Sequence, residues 1–287
     1  MEEIVYLNGS LVPLSEAGLS PLDSGFLYGC GLFETMCSYS GRVFRLDKHL
    51  DRLRCSARFL GIDLDSLPDL EKAVYDCLKS NKTSNARIRL TISCGAGATI
   101  PDLISQRYPT VLIVATGYTP YSAVTYDQGF KAIVSDVRRN SQSPVSGMKS
   151  LSCLDLLLAR REAKLAGADE AILLNEQGYL AEGSISNVFL VSGDTLVTPS
   201  EDSGILPGIT RETVLEIAHS SDLKTVLKKV PPVELNQANE AFLTNSLIQI
   251  MPLTQVNGQA IGSGQPGLVT KRLMSAYQQL VEQAANS

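Results

Sequence analysis

The spacing of apolar residues predicts strands and helices in the first part of the chain. Ile4–Leu7 is a short apolar run followed by Asn8-Gly9, a dipeptide that favours a hairpin turn. Apolar side chains at intervals of three and four predict a helix over Leu46–Leu60, with Gly61 where a C-terminal cap belongs. Strict alternation over 87–93 predicts a half-buried strand with both of its arginines on one face. We also predict a helix over 67–79 and a buried strand over 111–115.

A stretch of turn-forming residues, 117–120, separates this first set of elements from a second one. We therefore predict a small domain over 1–117, a linker over 118–121, and a larger domain over 122–287 that includes Lys149. The larger domain is predicted to contain strands over 131–136, 170–174, 188–191 and 240–244, a polar loop over 138–147, helices over 151–165 and 268–285, a helix that begins at Pro207-Gly208, and a hairpin turn at Asn257-Gly258.

Length and charge narrow the class of protein. The 287 residues exceed one ordinary core and fit two domains of modest size. The net charge of −5 disfavours binding to nucleic acid or to an anionic membrane. No run reaches the roughly 20 apolar residues of a membrane helix, and the acidic start Met1-Glu2-Glu3 lacks the apolar region of a signal peptide. We therefore expect a cytoplasmic protein.

The cysteines and histidines do not suggest a metal site. Six cysteines are scattered without a C-x-x-C pair, and only two histidines are present. Zinc sites need closely spaced clusters of these residues, so we expect no metal. We interpret the cysteines as free thiols in a reducing compartment.

The glycine-rich stretch Tyr28-Gly-Cys-Gly-Leu-Phe33 invites comparison with phosphate-binding loops. Its spacing matches neither the dinucleotide fingerprint nor the P-loop, and no lysine follows. We interpret it as a bend that leads into a strand over 36–39.

Lys149 and Glu182 are the candidate catalytic groups of the second part. A lysine attacks an aldehyde only when deprotonated, and burial near other cations such as Arg138 and Arg139 is one way to lower its pKa. A carboxylate such as Glu182, which precedes a Gly/Ser turn, can keep a pyridine nitrogen protonated. Each residue alone is more often an exposed surface charge. Together they suggest a pyridoxal phosphate site.

A phosphate site is predicted at the start of a helix. Gly208-Ile209-Thr210 offers free backbone N–H groups, close backbone approach and a hydroxyl. Arg52 can add a charged fork, and Ser246 follows a strand and can add a second hydroxyl. The ordinary alternatives are a helix cap for Thr210 and a solvated helix face for Arg52.

Several motifs in this order resemble those of the class IV pyridoxal-phosphate enzymes, which have fold type IV. They are Tyr28-Gly-x-Gly-x-Phe33-Glu34, His49-Leu50-x-Arg52-Leu53, Lys149-Ser-Leu, Glu182-Gly-Ser-x-Ser-Asn187, Leu206-Pro-Gly-Ile-Thr-Arg211 and Thr244-Asn-Ser. The family comprises branched-chain and D-amino-acid aminotransferases and aminodeoxychorismate lyase. The resemblance implies an α+β, two-domain fold with pyridoxal 5'-phosphate between the domains, a small-molecule amino substrate, and a homodimer.

The resemblance also implies residue roles. Lys149 is implied as the Schiff-base lysine and Glu182 as the partner of the pyridine nitrogen. The rest of the cofactor set is Arg52, Asn187, Ile209, Thr210 and Ser246, and the substrate pocket is formed by Tyr28, Phe33, Arg89 and Asn245.

The choice among family members depends on a few positions. Branched-chain enzymes resemble one another in having a tyrosine where this chain has Leu154, and Thr-Gly-Thr where it has Thr244-Asn245-Ser246. Arg139-Asn-Ser and Met251-Pro252 look more like the lyases. We therefore expect a 4-amino-4-deoxychorismate lyase that serves folate synthesis.

Three alternatives stay open. Arg89 stands where branched-chain enzymes have a carboxylate-binding arginine, so an aminotransferase is the second interpretation. D-amino-acid aminotransferases have an arginine-rich site for the substrate carboxylate after the strand that contains Arg89. The loop 93–98 of this chain has neither arginine nor histidine. The third and most distant alternative is a non-catalytic protein that binds pyridoxal phosphate.

Overall fold

A computed structural model describes residues 2–96 and 108–286. The chain divides into two units. One comprises Met1–Thr119, Met148–Ser152 and Val281–Ser287, and the other comprises Pro120–Gly147 and Cys153–Leu280. We predicted a linker at 118–121, and the division at this point falls between Thr119 and Pro120.

The first unit is one antiparallel sheet with helices packed against it. Its strands are β1 (Ile4–Leu7), β2 (Ser10–Pro13), β3 (Gly31–Tyr39), β4 (Arg42–Val43), β5 (Ala86–Ala96) and β6 (Tyr108–Gly117), in the order β2-β1-β6-β5-β3-β4. Its helices are α1 (Ser24–Tyr28), α2 (Leu46–Leu60) and α3 (Leu70–Ser80). The inward faces of α2 and α3 pack on the sheet around Met36, Leu50 and Ile88.

The second unit contains a sheet of mixed direction. Its elements are α4 (Ala123–Gln128), β7 (Phe130–Arg139), α5 (Leu154–Leu165), β8 (Glu170–Asn175), β9 (Leu180–Gly183), β10 (Asn187–Ser192), β11 (Thr195–Pro199), α6 (Ile209–Ser220), β12 (Lys224–Lys228), α7 (Pro232–Gln237), β13 (Glu240–Asn245), β14 (Gln249–Val256), β15 (Gln259–Ala260) and α8 (Leu268–Asn286). Nine of the described strands form this sheet. Eight follow the order β12-β11-β10-β13-β14-β7-β8-β9, and the ninth, β15, pairs with β14. Phe189 and Phe242 stack in the core, with ring centroids 4.9 Å apart. The described residues also contain three short 3₁₀ helices, one in the first unit and two in the second: Leu14–Glu16, Pro144–Gly147 and Glu201–Ser203.

Lys149 clusters with the first unit, whereas we had assigned it to the larger domain. The reason is backbone pairing. The amide of Phe33 donates to the carbonyl of Lys149 at 2.9 Å, and the amide of Leu151 donates to the carbonyl of Gly31 at 2.9 Å. The segment 149–151 therefore pairs with the start of β3 through an isolated antiparallel bridge between Ser150 and Leu32.

The expectation that all cysteines are thiols is wrong for two of them, because Cys30 and Cys94 form a disulfide. The strand register explains the pairing. Gly31 lies opposite Ser93 in the β3–β5 ladder, so the next residues outward face each other, with Cα atoms 5.7 Å apart. The other four cysteines are free.

Several boundaries differ from prediction. The stretch interpreted as a bend before a strand over 36–39 is shorter than predicted, because β3 already begins at Gly31. Helix α1 precedes it, and the Asp23 carboxylate caps this helix by accepting hydrogen bonds from the amides of Gly25 and Phe26. The predicted polar loop at 138–147 starts later, since Arg139 ends β7. Within the described residues, no helix is long and apolar enough to cross a membrane.

Candidate active site

Phe33, Arg89 and Lys149 lie together in the first unit. The guanidinium carbon of Arg89 is 3.8 Å from the centre of the Phe33 ring, and Lys149 Nζ is 4.7 Å from the same centre. A cation is attracted to the face of an aromatic ring. Phe33 therefore positions the predicted Schiff-base amine and the predicted carboxylate-binding arginine, which the sequence separates by 60 positions.

Strand alternation gives Phe33 its orientation. Phe33 is half-buried, whereas Leu32 and Glu34 on either side of it are buried. The β3–β5 register places Thr91 opposite Phe33 and Arg89 opposite Thr35. This face of the sheet therefore presents an aromatic ring, two hydroxyl groups and a guanidinium group.

The neighbouring residue Glu34 lies in a buried cluster with two basic side chains. Arg52 binds it through two nitrogens, Nε to Oε1 at 2.8 Å and Nη2 to Oε2 at 2.6 Å, and His49 Nδ1 is 2.7 Å from Oε2. Burial alone would raise the pKa of Glu34, but Arg52 and His49 outweigh it and lower this pKa to about 2. Burial lowers the pKa of His49. Glu34 thus fixes the orientation of Arg52, the predicted phosphate ligand.

Tyr28 lies at the end of α1 and is 47% exposed. The helix that presents it is anchored by Asp23, which also accepts hydrogen bonds from the hydroxyls of Ser93 at 2.7 Å and Thr110 at 2.8 Å. Two residues of the loop that we examined for a D-amino-acid carboxylate trap, Gly97 and Ala98, lie outside the described residues.

Glu182 is buried at the end of β9 in the second unit. Its Oε1 is 3.1 Å from Nε of Arg139, and its Oε2 accepts a hydrogen bond from the amide of Leu206 at 3.0 Å. Arg139 is itself held by Asp155, at 2.8 Å, and by the carbonyl of Ser146, at 2.9 Å. The Glu182 carboxylate is therefore fixed in position by a cation and a backbone donor.

Asn187 connects Glu182 to the start of α6. Asn187 Nδ2 donates to the carbonyl of Leu206 at 2.8 Å, so both carboxylate and amide hold the same residue. Gly208 is the N-cap of α6, and a Cβ there would lie 2.0 Å from Asn187 Oδ1, so only glycine fits. The predicted ring-nitrogen partner and the predicted phosphate-binding helix start are thus joined through Leu206.

The start of α6 has the character of an anion site. Among the described residues, no side chain caps this helix of 12 residues. Ile209 and Thr210 are buried in its first turn. The backbone N–H groups of the turn and the Thr210 hydroxyl are the donors that a phosphate group needs.

Asn245 is the last residue of β13, one residue beyond the predicted end of this strand, and Ser246 follows it. Asn245 Oδ1 accepts hydrogen bonds from the amides of Leu247 and Ile248, both at 2.8 Å, and its Nδ2 donates to the carbonyl of Ile185 at 3.0 Å. Asn245 therefore organises two turns. Ser246 is half-buried in the first of them.

Sequence reasoning did not identify several groups. Arg139 was noted only as a nearby cation and a lyase-like residue, yet it contacts Glu182. Thr244 is buried, and its hydroxyl has no hydrogen-bond partner within residues 2–96 and 108–286. It lies opposite Asn187 in the β10–β13 ladder. Only the register between these strands brings it to the site, and the order of residues along the chain does not contain that information.

Comparison with known proteins places this chain in a family. The model of the amino-transferase class IV family matches residues 31–256. A putative branched-chain-amino-acid aminotransferase of Methanocaldococcus jannaschii is 34% identical over 278 residues, 96% of each chain. Aminodeoxychorismate lyase of Bacillus subtilis is 37% identical over 284 residues, 97% of this chain and 95% of the relative. The crystal structure of Escherichia coli branched-chain amino acid aminotransferase superposes with a TM-score of 0.92 at 28% identity, covering 98% and 95% of the two chains.

The chain belongs to the class IV aminotransferase family. It is a pyridoxal-phosphate-dependent enzyme of α+β fold type IV, as the sequence motifs predicted. The non-catalytic interpretation is therefore set aside. The relatives include both lyases and branched-chain aminotransferases, and the chain is similar to each.

The residues present fit this cofactor. Each unit by itself has groups of the kind this cofactor needs. The first has an amine at Lys149, and the second has a buried carboxylate at Glu182 and an uncapped helix start at Gly208. No group of three or more His, Cys, Asp or Glu suited to a metal ion is found in the described parts of the chain.

Proposed function

We propose that this enzyme is a 4-amino-4-deoxychorismate lyase, which releases pyruvate from its substrate and leaves 4-aminobenzoate. The observation that supports this most directly is the arrangement around Asn245. Its side chain holds the turn that contains Ser246 and donates to the carbonyl of Ile185, three residues after Glu182 in the chain. The glycine of the branched-chain pattern could make none of these bonds. The 37% identity to the Bacillus subtilis lyase points the same way.

Lys149 has the central role in the proposed reaction. When bound, pyridoxal phosphate draws electrons away from the carbon that bears the substrate amine. Lys149 Nζ lies at the face of the Phe33 ring. As general base it takes the proton from the substrate carbon that bears the amine. The ether bond to the enolpyruvyl group breaks, the ring becomes aromatic, and the enolpyruvate takes up a proton to become pyruvate. No oxidant is required.

The other residues bind and orient. Glu182 keeps the proton on the pyridine nitrogen, and Arg139 and the Leu206 amide hold Glu182 in place. The phosphate is assigned to the N-terminus of α6, with Ile209, Thr210 and Ser246, while Asn187 supports the helix start. The role of Arg52 as a further phosphate ligand stays a prediction from the resemblance. Arg89, against Phe33, is assigned to a substrate carboxylate.

A branched-chain aminotransferase is the second candidate. Arg89 packed on Phe33 beside Lys149 suits the single carboxylate of an amino acid as well as that of a chorismate derivative. The putative aminotransferase of Methanocaldococcus jannaschii, at 34% identity, supports this alternative. In that reaction Lys149 would move a proton between the substrate and the cofactor.

Two incubations separate the candidates. With aminodeoxychorismate, the lyase proposal requires equal amounts of pyruvate and 4-aminobenzoate. With leucine or isoleucine alone, it requires that the bound cofactor keep its absorption band. Rapid conversion of the cofactor to its amine form by leucine, without 4-aminobenzoate from the first incubation, would reverse the assignment. The homodimer, the cytoplasmic location and the folate pathway stay predictions.

A further inference from the structure

Glu170 is a buried carboxylate that neither the sequence motifs nor the proposed reaction includes. It lies at the start of β8 and is 1% exposed. Its Oε1 accepts hydrogen bonds from the amides of Ala171 at 2.9 Å and Ser184 at 3.2 Å, and from the Ser184 hydroxyl. Its Oε2 accepts one from the Ser186 hydroxyl at 2.9 Å. A carboxylate is retained at such depth only when its oxygens are satisfied.

Most of these bonds go to one turn, residues 183–186, between β9 and β10. The nearest cation to Glu170, Arg160, is 3.9 Å away and partly exposed, so hydrogen bonds rather than an ion pair dominate its surroundings. Gly183 is packed against the same group, since a Cβ there would lie 2.2 Å from the Ser186 hydroxyl and 3.1 Å from Glu170 Oε2. The two serines of the motif Glu182-Gly-Ser-Ile-Ser-Asn187 thus serve Glu170.

The 183–186 turn is fixed from its other side as well. The Ser184 amide also donates to the carbonyl of Ala171 at 2.9 Å, and Asn245 Nδ2 donates to the carbonyl of Ile185. Glu182 and Asn187 flank the turn on its two sides. Both side chains form hydrogen bonds with the backbone of Leu206, which precedes α6. A shift of this turn would therefore move the ring-nitrogen contact and the phosphate contact together.

We infer that Glu170 is a positioning residue for the cofactor, which acts through the 183–186 turn on Glu182 and on the start of α6. The inference rests on the proposed role of Glu182. A carboxylate with several fixed donors holds a turn more firmly than a hydroxyl network without one, because charge-assisted hydrogen bonds are shorter and stronger. Contacts of this outer kind set the geometry of the groups that touch a cofactor.

The test compares cofactor binding in three variants of the full chain. In Glu170→Ala, the hydroxyls of Ser184 and Ser186 lose their acceptor and the Ser184 amide loses one of its two, so we expect pyridoxal phosphate to bind the apoenzyme about tenfold more weakly. We also expect the pH dependence of the bound cofactor's absorption band to shift in the same direction as in Glu182→Gln. Glu170→Gln keeps one acceptor oxygen and should recover part of both effects.

Glu162→Ala is the matched control. Glu162 accepts hydrogen bonds from the Ser135 hydroxyl at 2.5 Å and from the Asp136 amide at 3.1 Å, and neither bond involves the 183–186 turn. It should leave both cofactor affinity and spectrum as in the wild type. If Glu170→Ala does not yield folded protein, Ser186→Ala decides, because it removes one donor to Glu170 and should give a smaller shift of the same sign.

Two results are decisive. If Glu170→Ala binds the cofactor with the affinity and spectrum of the wild type, the inference is overturned and the role of Glu182 is left intact. Where Ser186→Ala decides, the same result in that variant has the same meaning. An unchanged spectrum in Glu182→Gln would instead refute the role of Glu182 itself, and the inference with it.

Discussion

Glu34 in the first unit and Glu170 in the second are both 1% exposed, yet they are stabilised in different ways. Glu34 is paired with the positive charge of Arg52 and with His49. Glu170 is surrounded by hydroxyls and backbone amides of a single turn. The first arrangement pairs the carboxylate with a cation, whereas the second supplies several hydrogen-bond donors from one segment of the chain.

The two units also differ in the functional groups that they present. The first unit presents cations, with Lys149 and Arg89 at one aromatic ring and Arg52 at Glu34. The second presents a fixed carboxylate, Glu182, and the backbone of a helix start. We expect substitutions in the first unit to change covalent chemistry and acid stability, and substitutions in the second to change cofactor geometry.

The largest effect is expected from Lys149→Ala, which removes the amine. Activity should fall by at least the factor of about 10² to 10⁴ that a positioned general base contributes. Purified wild-type protein should be yellow, with an absorption band that borohydride abolishes. The variant should lack that borohydride-sensitive band, and a band of wild-type behaviour in it would contradict the assignment of Lys149.

Glu182→Gln should have the next largest effect. The neutral amide cannot keep the pyridine nitrogen protonated, so we expect activity to fall by about 100-fold, which is about 2.7 kcal/mol in transition-state stabilisation. The cofactor should still bind, as absorbance and equilibrium dialysis can show. Near-normal turnover would refute the role of Glu182 as ring-nitrogen partner.

The helix α2 shows how far sequence pattern reaches. Apolar residues at three- and four-residue intervals and Gly61 gave its bounds, Leu46–Leu60, because both signals are local. The Asn257-Gly258 turn was predicted for the same reason and joins β14 to β15. The motifs identified the cofactor because each is a short run of sequence.

Long-range pairing could not be predicted in this way. The attachment of the Lys149 segment to β3 and the disulfide between Cys30 and Cys94 both depend on strand register. The contact of Arg139 with Glu182 depends on the positions of β7 and β9 around β8. Hydrophobic periodicity determines which side of a strand is buried, but it does not specify which strand lies beside it.

Glu34→Gln should mainly change stability, and do so in a pH-dependent way. The neutral amide removes the negative charge from a buried ion pair with Arg52, so the free energy of unfolding at pH 7 should fall by about 3 kcal/mol. The pKa of Glu34 is about 2 in the folded state and 4.5 for an ordinary glutamate, so the folded state binds fewer protons between these values. Its contribution is complete above pH 4.5 and is lost as the pH falls towards 2.

Denaturant unfolding at several pH values measures this contribution. Wild type and Glu34→Gln should differ most near neutrality and converge in acid. His49 adds a second step, because burial lowers its pKa below 6.5, so its contribution begins to be lost as the pH falls below that value. A stability difference that stays constant down to pH 2 would argue against a charged Glu34 in the fold.

The smallest effect is expected from Phe33→Leu, which keeps an apolar side chain but removes the aromatic face beneath Arg89 and Lys149. Cation–π contacts of this kind contribute about 0.5 to 2 kcal/mol, so we expect KM for the substrate to rise by about threefold to tenfold if Arg89 binds its carboxylate. Phe44→Leu is the matched control, since its ring lies 5.9 Å from the guanidinium of Arg45 in the same unit. Equal changes in both variants would mean that Phe33 acts through general packing and does not orient the two cations.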